Sequence, residues 1–459
     1  MASSPPPEAG LTEYERRRQE NIRRNDAIIA SLRRQAAELS ASLRPAKRPK
    51  KQPPRASPAR PVVLRRSLRT RGLPPSGSSD AAAASSPPAP PTPTKPRDAR
   101  VSSSLASSLR SAAELPAPRE GEARAADGFD AGSGMVLRPA DVRRVVPERI
   151  LSVRILPLAD RTVVVAGNKL GHIGFWDVDG VVEDEDEDGA DGVFEYFPHR
   201  GAVGAIVVHP TAPRKIYSCS YEGEICLMDI EKENFDMIQL CDYPVYSLCQ
   251  APKSPSCLYF GEGNEVKLFD ERAGKVSSTW NVHDNRINSI DFHPENPHMF
   301  ATSSTDRTAC VWDMRSMKKK GPENLKVFEH NRSVQSAYFS PSGSMLATTS
   351  LDDTVRIFNV DNFDVSYIMK HYNQTGRWLS TFKAIWSWNG TDLIIGNMKR
   401  AIDIISVERS ESSLSASNKA SLESEHMTAI PCRFSLHPYK VGHLACASSG
   451  GKVFLWTRA

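Results

Sequence analysis

None of the eight cysteines of this 459-residue sequence (Cys219, Cys226, Cys241, Cys249, Cys257, Cys310, Cys432 and Cys446) forms a Cys-x-x-Cys pair. That spacing argues against a zinc module or a thioredoxin-like redox site. It favours reduced thiols buried in strand-like runs, with a metal site a distant second. The first 30 residues lack the apolar core of a secretory signal. No run approaches the ~18 apolar residues of a membrane span, so a soluble intracellular chain with no membrane contact is expected. There is no phosphate-cradling P-loop and no zinc-ligand spacing. No nucleophile lies beside a base outside the repeated motif described below, so neither an enzyme nor a cofactor is expected. Acidic residues are scarce early in the chain: residues 1–73 hold 18 Lys/Arg against six Asp/Glu. The rest of the chain is neutral and then acidic, which concentrates the basic excess in an N-terminal arm and suggests nucleic acid or nuclear import.

What is present divides into two textures. Hydrophobic residues make up only 39% of the chain, with 34 prolines, so part of it is expected to stay unfolded. Residues 1–10 are assigned to disorder. Residues 11–39 read as a basic amphipathic helix: Thr12 and Glu15 fit a capping box, and Ile22, Ile29, Leu32, Ala36 and Leu39 form one apolar stripe among arginines. Such a helix either stays solvated or docks on a partner or on phosphates. Arg44, Lys47, Arg48, Lys50 and Lys51 form a cluster suited to nuclear import or phosphate contact. Residues 40–133, rich in Pro, Ser and Ala, bury too little apolar area to offset ordering entropy and are expected to be disordered. Ser57-Pro58 and Ser86-Pro87 are weak candidates for proline-directed phosphorylation.

From about residue 150 onward the chain repeats. His283 to Arg315 reads as a histidine, a strand, a proline turn, a strand, an aspartate turn and a strand ending in an aromatic residue. His330 to Val360 repeats that order. The equivalent final positions are Trp176, Met228, Phe269, Trp312, Phe358, Ile405 and Trp456, separated by 52, 41, 43, 46, 47 and 51 residues. Propeller blades of the WD type recur at roughly 40–45 residues, so residues 134–459 are expected to form an all-β, seven-bladed WD-repeat propeller. His283, Thr302, Asp306 and Trp312 then form a structural hydrogen-bond set rather than a catalytic one. Residues near 134–146 are expected to supply the missing strand of the last blade, which removes open sheet edges.

Blade topology assigns the loops to faces. Loops between the second and third strands, and those leading into the first, share one face. It collects Lys169, Arg200, Arg286, Arg307, Arg332, Arg377, Lys399 and Arg400, with Tyr221, Tyr243 and Trp378 among them. Cations neutralise phosphates, and an aromatic ring can stack on or wedge between bases, so this face is a candidate DNA-binding surface. For Trp378, packing on its own loop is the alternative. The opposite face collects the acidic run Glu183 to Asp188, together with Arg272 and Arg315.

Four stretches, "YERRRQENIRRND", "KIYSCSYEGEICLMDIE", "HPENPHMFATSSTDRTACVWDMR" and "TGRWLSTFKAIW", carry a resemblance. The chain resembles the WD-repeat family that includes the small subunit of the UV-damaged-DNA-binding complex, in particular its WD repeat-containing protein 76 and fungal DNA-damage-binding branch. The resemblance implies a nuclear protein that binds double-stranded, damaged or altered DNA on chromatin. It also implies docking on the propeller-built adaptor of cullin-4 ubiquitin ligases through Trp-Asp-x-Arg. Here that motif is Trp312, Asp313 and Arg315, with a variant copy at Phe269, Asp270 and Arg272. The family's Phe-Gln-His wedge is not reproduced: Gly376-Arg377-Trp378 stands in its place, which puts the same lesion-flipping mechanism in doubt. A monomer is expected. The alternative reading is an interaction scaffold whose basic face binds acidic chromatin proteins without reading DNA.

Overall fold

The structure, a computed structural model, describes residues 105–110, 129–180, 192–252, 254–317, 322–376, 378–410 and 412–459. The expected helix at 11–39, the cluster Arg44–Lys51, the acidic run 183–188 and Arg377 lie outside the described residues.

Residues 129–459 contain seven antiparallel sheets arranged as a propeller. Six are four-stranded meanders spanning residues 150–196, 203–240, 245–281, 287–329, 334–370 and 385–422. We letter their strands a to d in chain order. Blade four shows why each strand takes its place. Strand a (Ile287–Phe292) and strand b (Met299–Ser304) are almost wholly buried, strand c (Thr308–Asp313) largely so, and strand d (Asn324–Glu329) mostly solvent-facing. The alternating exposure of an outer strand, as in Lys275–Asn281 of blade three, therefore gives way to near-continuous burial toward the axis, where apolar residues mix with Asn, Ser and Thr.

The seventh sheet is closed as expected. Strands Pro431–Leu436, Leu444–Ser448 and Lys452–Arg458 take their fourth strand from the start of the domain: Met135 pairs with Arg458, and Val142 with Phe454. The donated strand is broken by a 3-10 turn at Pro139–Asp141, where proline has no N–H to give the ladder.

The seven residues at the repeating aromatic position are all buried. Each faces a strand-b residue: Trp176 opposite Val164, Met228 opposite Ile216, Phe269 opposite Leu258, Trp312 opposite Phe300, Phe358 opposite Leu346, Ile405 opposite Leu393, and Trp456 opposite Leu444. Hydroxyls tie one blade to the next around the axis. Ser152, Ser247, Ser289 and Ser435 each accept a hydrogen bond from a strand-a amide of the following blade, those of Ile206, Ile290, Ala337 and Ile155, at 3.0 to 3.1 Å. The Ser435 bond joins blade seven to blade one.

One finding departs from the expected disorder of 40–133. Leu105–Ser108 forms a single helical turn, and Leu105 and Leu109 are buried in the apolar cluster shared by blades one and two. Low overall hydrophobicity concealed it, because two leucines four residues apart on one helical face suffice to fill a groove. All eight cysteines are free thiols; six are buried, and Cys249 and Cys257 are half-buried.

Candidate nucleic-acid interface

Strand connectivity puts the loops b–c and d–a of every blade on the same end of the propeller. Lys169, Arg307, Lys399 and Arg400 lie in b–c turns. Arg200, Arg286, Arg332 and Trp378 lie in d–a connections. Arg272 and Arg315 lie in c–d turns, on the opposite end.

The b–c turns share one backbone feature. In each of the seven blades one turn residue has a positive φ: Gly171, Gly223, Gly263, Arg307, Asp353, Arg400 and Gly451, with angles between 57° and 95°. Glycine adopts this conformation freely, whereas a side chain is strained there. At Gly171, Gly223 and Gly451 glycine is also compulsory, because a Cβ would fall 2.1, 2.4 and 1.9 Å from a backbone oxygen. Two of the three exceptions are arginines of the predicted basic face.

The predicted cations differ in their surroundings. Lys169 Nζ pairs with Glu148 at 2.8 Å, and Arg200 lies 3.9 Å from Glu224. Lys399 and Arg400 share a hollow with Glu423 and Glu425. Among the described residues Arg286, Arg307 and Arg332 form no ion pair. The Arg286 guanidinium lies 4.3 Å from the centre of the Tyr246 ring, a cation–π contact, and its Nε donates to Asn288 Oδ1. Arg332 reaches across to Gln374 Oε1 at 3.4 Å. Cations free of ion pairs among the described residues thus gather at blades four and five, but Asp284, Asp306, Asp352 and Asp353 lie in the same loops, and the face is mixed in sign. Trp378 is 76% exposed, and its ring folds over Gly376, where an added Cβ would lie 2.7 Å from it.

The centre of this face adds Arg149, Lys383 and Arg433, which the sequence reading missed, to the expected Arg286. Arg149, Arg286, Lys383 and Arg433 converge on the mouth of the axial channel, beside Tyr221 and Tyr246. Arg154 lines the channel further in, with Asp291. Burial, reinforced by Arg433, Arg154 and Arg286, holds Lys383 well below its ordinary pKa. The only available signal was a basic residue inside an apolar strand-a run, as in Pro431-Cys432-Arg433-Phe434, which also fits a strand with one polar face.

On the opposite end Trp312, Asp313 and Arg315 are held by the blade itself. Trp312 is buried, and its Nε1 donates to Thr302 Oγ1 at 2.8 Å. His283 Nε2 lies 2.7 Å from the same hydroxyl, and its Nδ1 lies 2.8 Å from Asp306. Burial raises the pKa of Asp306, but the His283 and Thr308 hydrogen bonds outweigh it and hold the carboxyl far below the usual range. Asp313 caps the 3-10 turn Met314–Ser316 by accepting from the Arg315 amide at 2.8 Å. The Arg315 guanidinium folds back onto Asp313 at 2.7 Å, with its side chain 68% exposed. Asp270 caps its own turn in the same way, accepting from the amides of Arg272 and Ala273.

Fold and repeat together define a seven-bladed WD40-repeat β-propeller. The family description "WD domain, G-beta repeat" matches residues 274–313 and 322–359, each one strand d followed by strands a to c of the next blade. The chain is homologous to the fungal DNA damage-binding protein cmr1 and to WD repeat-containing protein 76. It is 29% identical to the Aspergillus terreus cmr1 over 352 residues, covering 68% of this chain and 65% of that protein. With WD repeat-containing protein 76 it shares 29% identity in Mus musculus, over 98% of this chain and 75% of the relative, and 29% in Xenopus laevis, over 70% and 55%. The chain spans just under two thirds of the length of the fungal relatives it matches.

Proposed function

We propose that this chain is a non-enzymatic nuclear protein that binds duplex DNA through the b–c and d–a end of its propeller. It favours damaged or altered DNA and acts on chromatin in the response to DNA damage. The observation that carries the reading is the set of exposed cations Arg286, Arg307 and Arg332, free of ion pairs among the described residues, beside the solvent-facing Trp378. The names of the fungal relatives support it. An exposed tryptophan is unusual on a monomer surface and suits stacking on an unpaired base or wedging at a flexible step. On the opposite end, Arg315, held in place by Asp313, and Arg272 dock the adaptor of a cullin-4 ubiquitin ligase.

The test is fluorescence anisotropy with intact and UV-irradiated duplexes at two salt concentrations. Arg332→Glu with Lys399→Glu should raise Kd at least tenfold while the circular dichroism spectrum is kept. Unchanged affinity in the folded double variant refutes the surface. Binding to an acidic peptide that DNA does not displace would favour the scaffold reading. Arg315→Ala should abolish capture by immobilised adaptor and spare DNA binding.

A further inference from the structure

We propose that the axial channel is an anion site of its own, built to hold a compact phosphoryl group at its mouth among Arg286, Lys383 and Arg433, with Arg149 at the rim. The site shares Arg286 with the proposed duplex surface, but its other groups, Lys383 and Arg433, lie in the channel mouth and not on the outer loops.

Its basis is an accumulation of like charge from separate blades. Arg154 comes from strand a of blade one, Arg286 from the loop into blade four, Lys383 from the loop into blade six, and Arg433 from strand a of blade seven. Like charges held this close repel unless something neutralises them. Among the described residues none of these four makes an ion pair. Their hydrogen bonds go to uncharged oxygens, which position them without neutralising them. Arg433 Nε donates to Leu151 O at 2.7 Å, and its Nη1 to the carbonyls of Thr381 and Cys432. Lys383 Nζ donates to Asn288 O at 3.1 Å. The carboxylate lining the channel, Asp291, accepts from the Phe339 amide at 2.7 Å. Burial pushes it up to about 7, so it supplies at most a fraction of one negative charge at neutral pH.

The fixed donors select the ligand class. Arg433 is clamped by three carbonyls, which leaves its Nη2 uncommitted, and Arg286 is held by Asn288 and Tyr246. Two pre-positioned guanidinium groups match the several oxygens of a phosphoryl group, which takes forked hydrogen bonds better than a halide does, and a bound phosphoryl group would hold the Lys383 amine, whose pKa burial depresses, in its protonated form. The mouth cavity is about 170 Å³. That admits a small oxyanion or a chain-terminal phosphate and excludes a duplex. Deeper in, the channel widens to about 560 Å³, so a second phosphoryl group could follow the first toward Arg154.

The experiment is calorimetric titration of the full chain with sodium pyrophosphate, with sodium chloride at matched ionic strength as the control. Saturable binding near one per chain, absent with chloride, is expected. Lys383→Met and Arg286→Gln should each weaken it at least tenfold. Arg286→Gln alters an exposed side chain, so it keeps the test valid if Lys383→Met fails to fold. Arg332→Glu with Lys399→Glu should leave pyrophosphate binding intact, which separates this site from the DNA surface. Competition by a 5′-phosphorylated trinucleotide, but not by its 5′-hydroxyl form, would identify the phosphoryl source as a nucleic-acid end. Competition by neither would identify a free small anion. Equal heats with chloride, or wild-type affinity in both channel variants, would overturn the proposal.

Discussion

At the scale of single residues, the left-handed turn positions connect backbone strain with function. Asp353 has a structural reason to occupy one: its carboxylate accepts from the amides of Asn373 and Gln374. The side chains of Arg307 and Arg400 make no hydrogen bond within the described structure, so nothing there offsets a cost of roughly 1 kcal/mol relative to glycine. Strain kept without local compensation points to a task outside the fold. Arg307→Gly and Arg400→Gly should therefore each stabilise the protein by about 1 kcal/mol in urea unfolding while weakening DNA binding. A loss of stability would show that these side chains serve the fold. Histidine chemistry gives a second prediction. His437 is fully buried, and its Nδ1 accepts from the amides of Tyr439 and Lys440. Burial, with Lys440 and His443 nearby, pushes its pKa down to about 3. Below pH 6.5 the unfolded chain takes up a proton that the folded chain refuses, so stability is present above that pH and falls as pH drops. By pH 5 the loss from this group reaches about 2 kcal/mol. His437→Asn keeps an acceptor for the turn, as Asn389 does in blade six, and should lose less stability than the wild type between pH 7 and pH 5.

At the scale of elements, how much could be read from the sequence depended on whether a signal repeated. Seven equivalent aromatic or aliphatic positions and their spacing gave the blade number, and the closing strand followed from counting strands. Blade six was faint because its strand a is paired only at Ile385–Trp386. Arg154 and Arg433 were hidden because inward-facing strand-a residues obey the same alternation as core residues, and only the closed ring reveals that they meet the loop cations Arg286 and Lys383. The docked turn was hidden by its setting in a Ser/Ala-rich segment. Its anchoring is specific. Leu105 and Leu109 fill the groove of blades one and two, Glu233 accepts from the Ala106 amide at 2.7 Å, and Ser108 Oγ donates to Asp177 at 2.6 Å. Asp177 is buried and already paired with Arg161 at 2.7 Å. Leu105→Ala with Leu109→Ala should cost at least about 2 kcal/mol and open the segment to protease. Ser108→Asp places a second carboxylate against Asp177 and should release the segment without touching the apolar contact. Unchanged proteolysis in both variants would show that the turn contributes nothing to the fold.

At the scale of the whole molecule, the docked turn changes where the propeller can be cut from its arm. A fragment beginning at residue 134 uncovers the groove of blades one and two. It also discards Phe129, which packs edge-on against Trp388, and Asp130, which holds Lys419 at 3.0 Å. A fragment of residues 89–459 keeps all of these contacts. It should match the full chain in thermal stability, whereas 134–459 falls below it. With stability matched, the arm's share of DNA binding becomes measurable. Residues 1–73 carry 18 of the 59 Lys/Arg of the chain. Each phosphate neutralised adds about 0.9 to the slope of log affinity against log salt. If the arm lies along the DNA backbone, the full chain should show a slope steeper by several units than 89–459, with the same ratio of affinities for irradiated and intact duplex, because phosphate contacts carry no structural discrimination. A ratio that collapses to one in the fragment would instead place the recognition of altered DNA in the arm and leave the propeller as its platform. Equal slopes would mean that the arm's charge serves another partner.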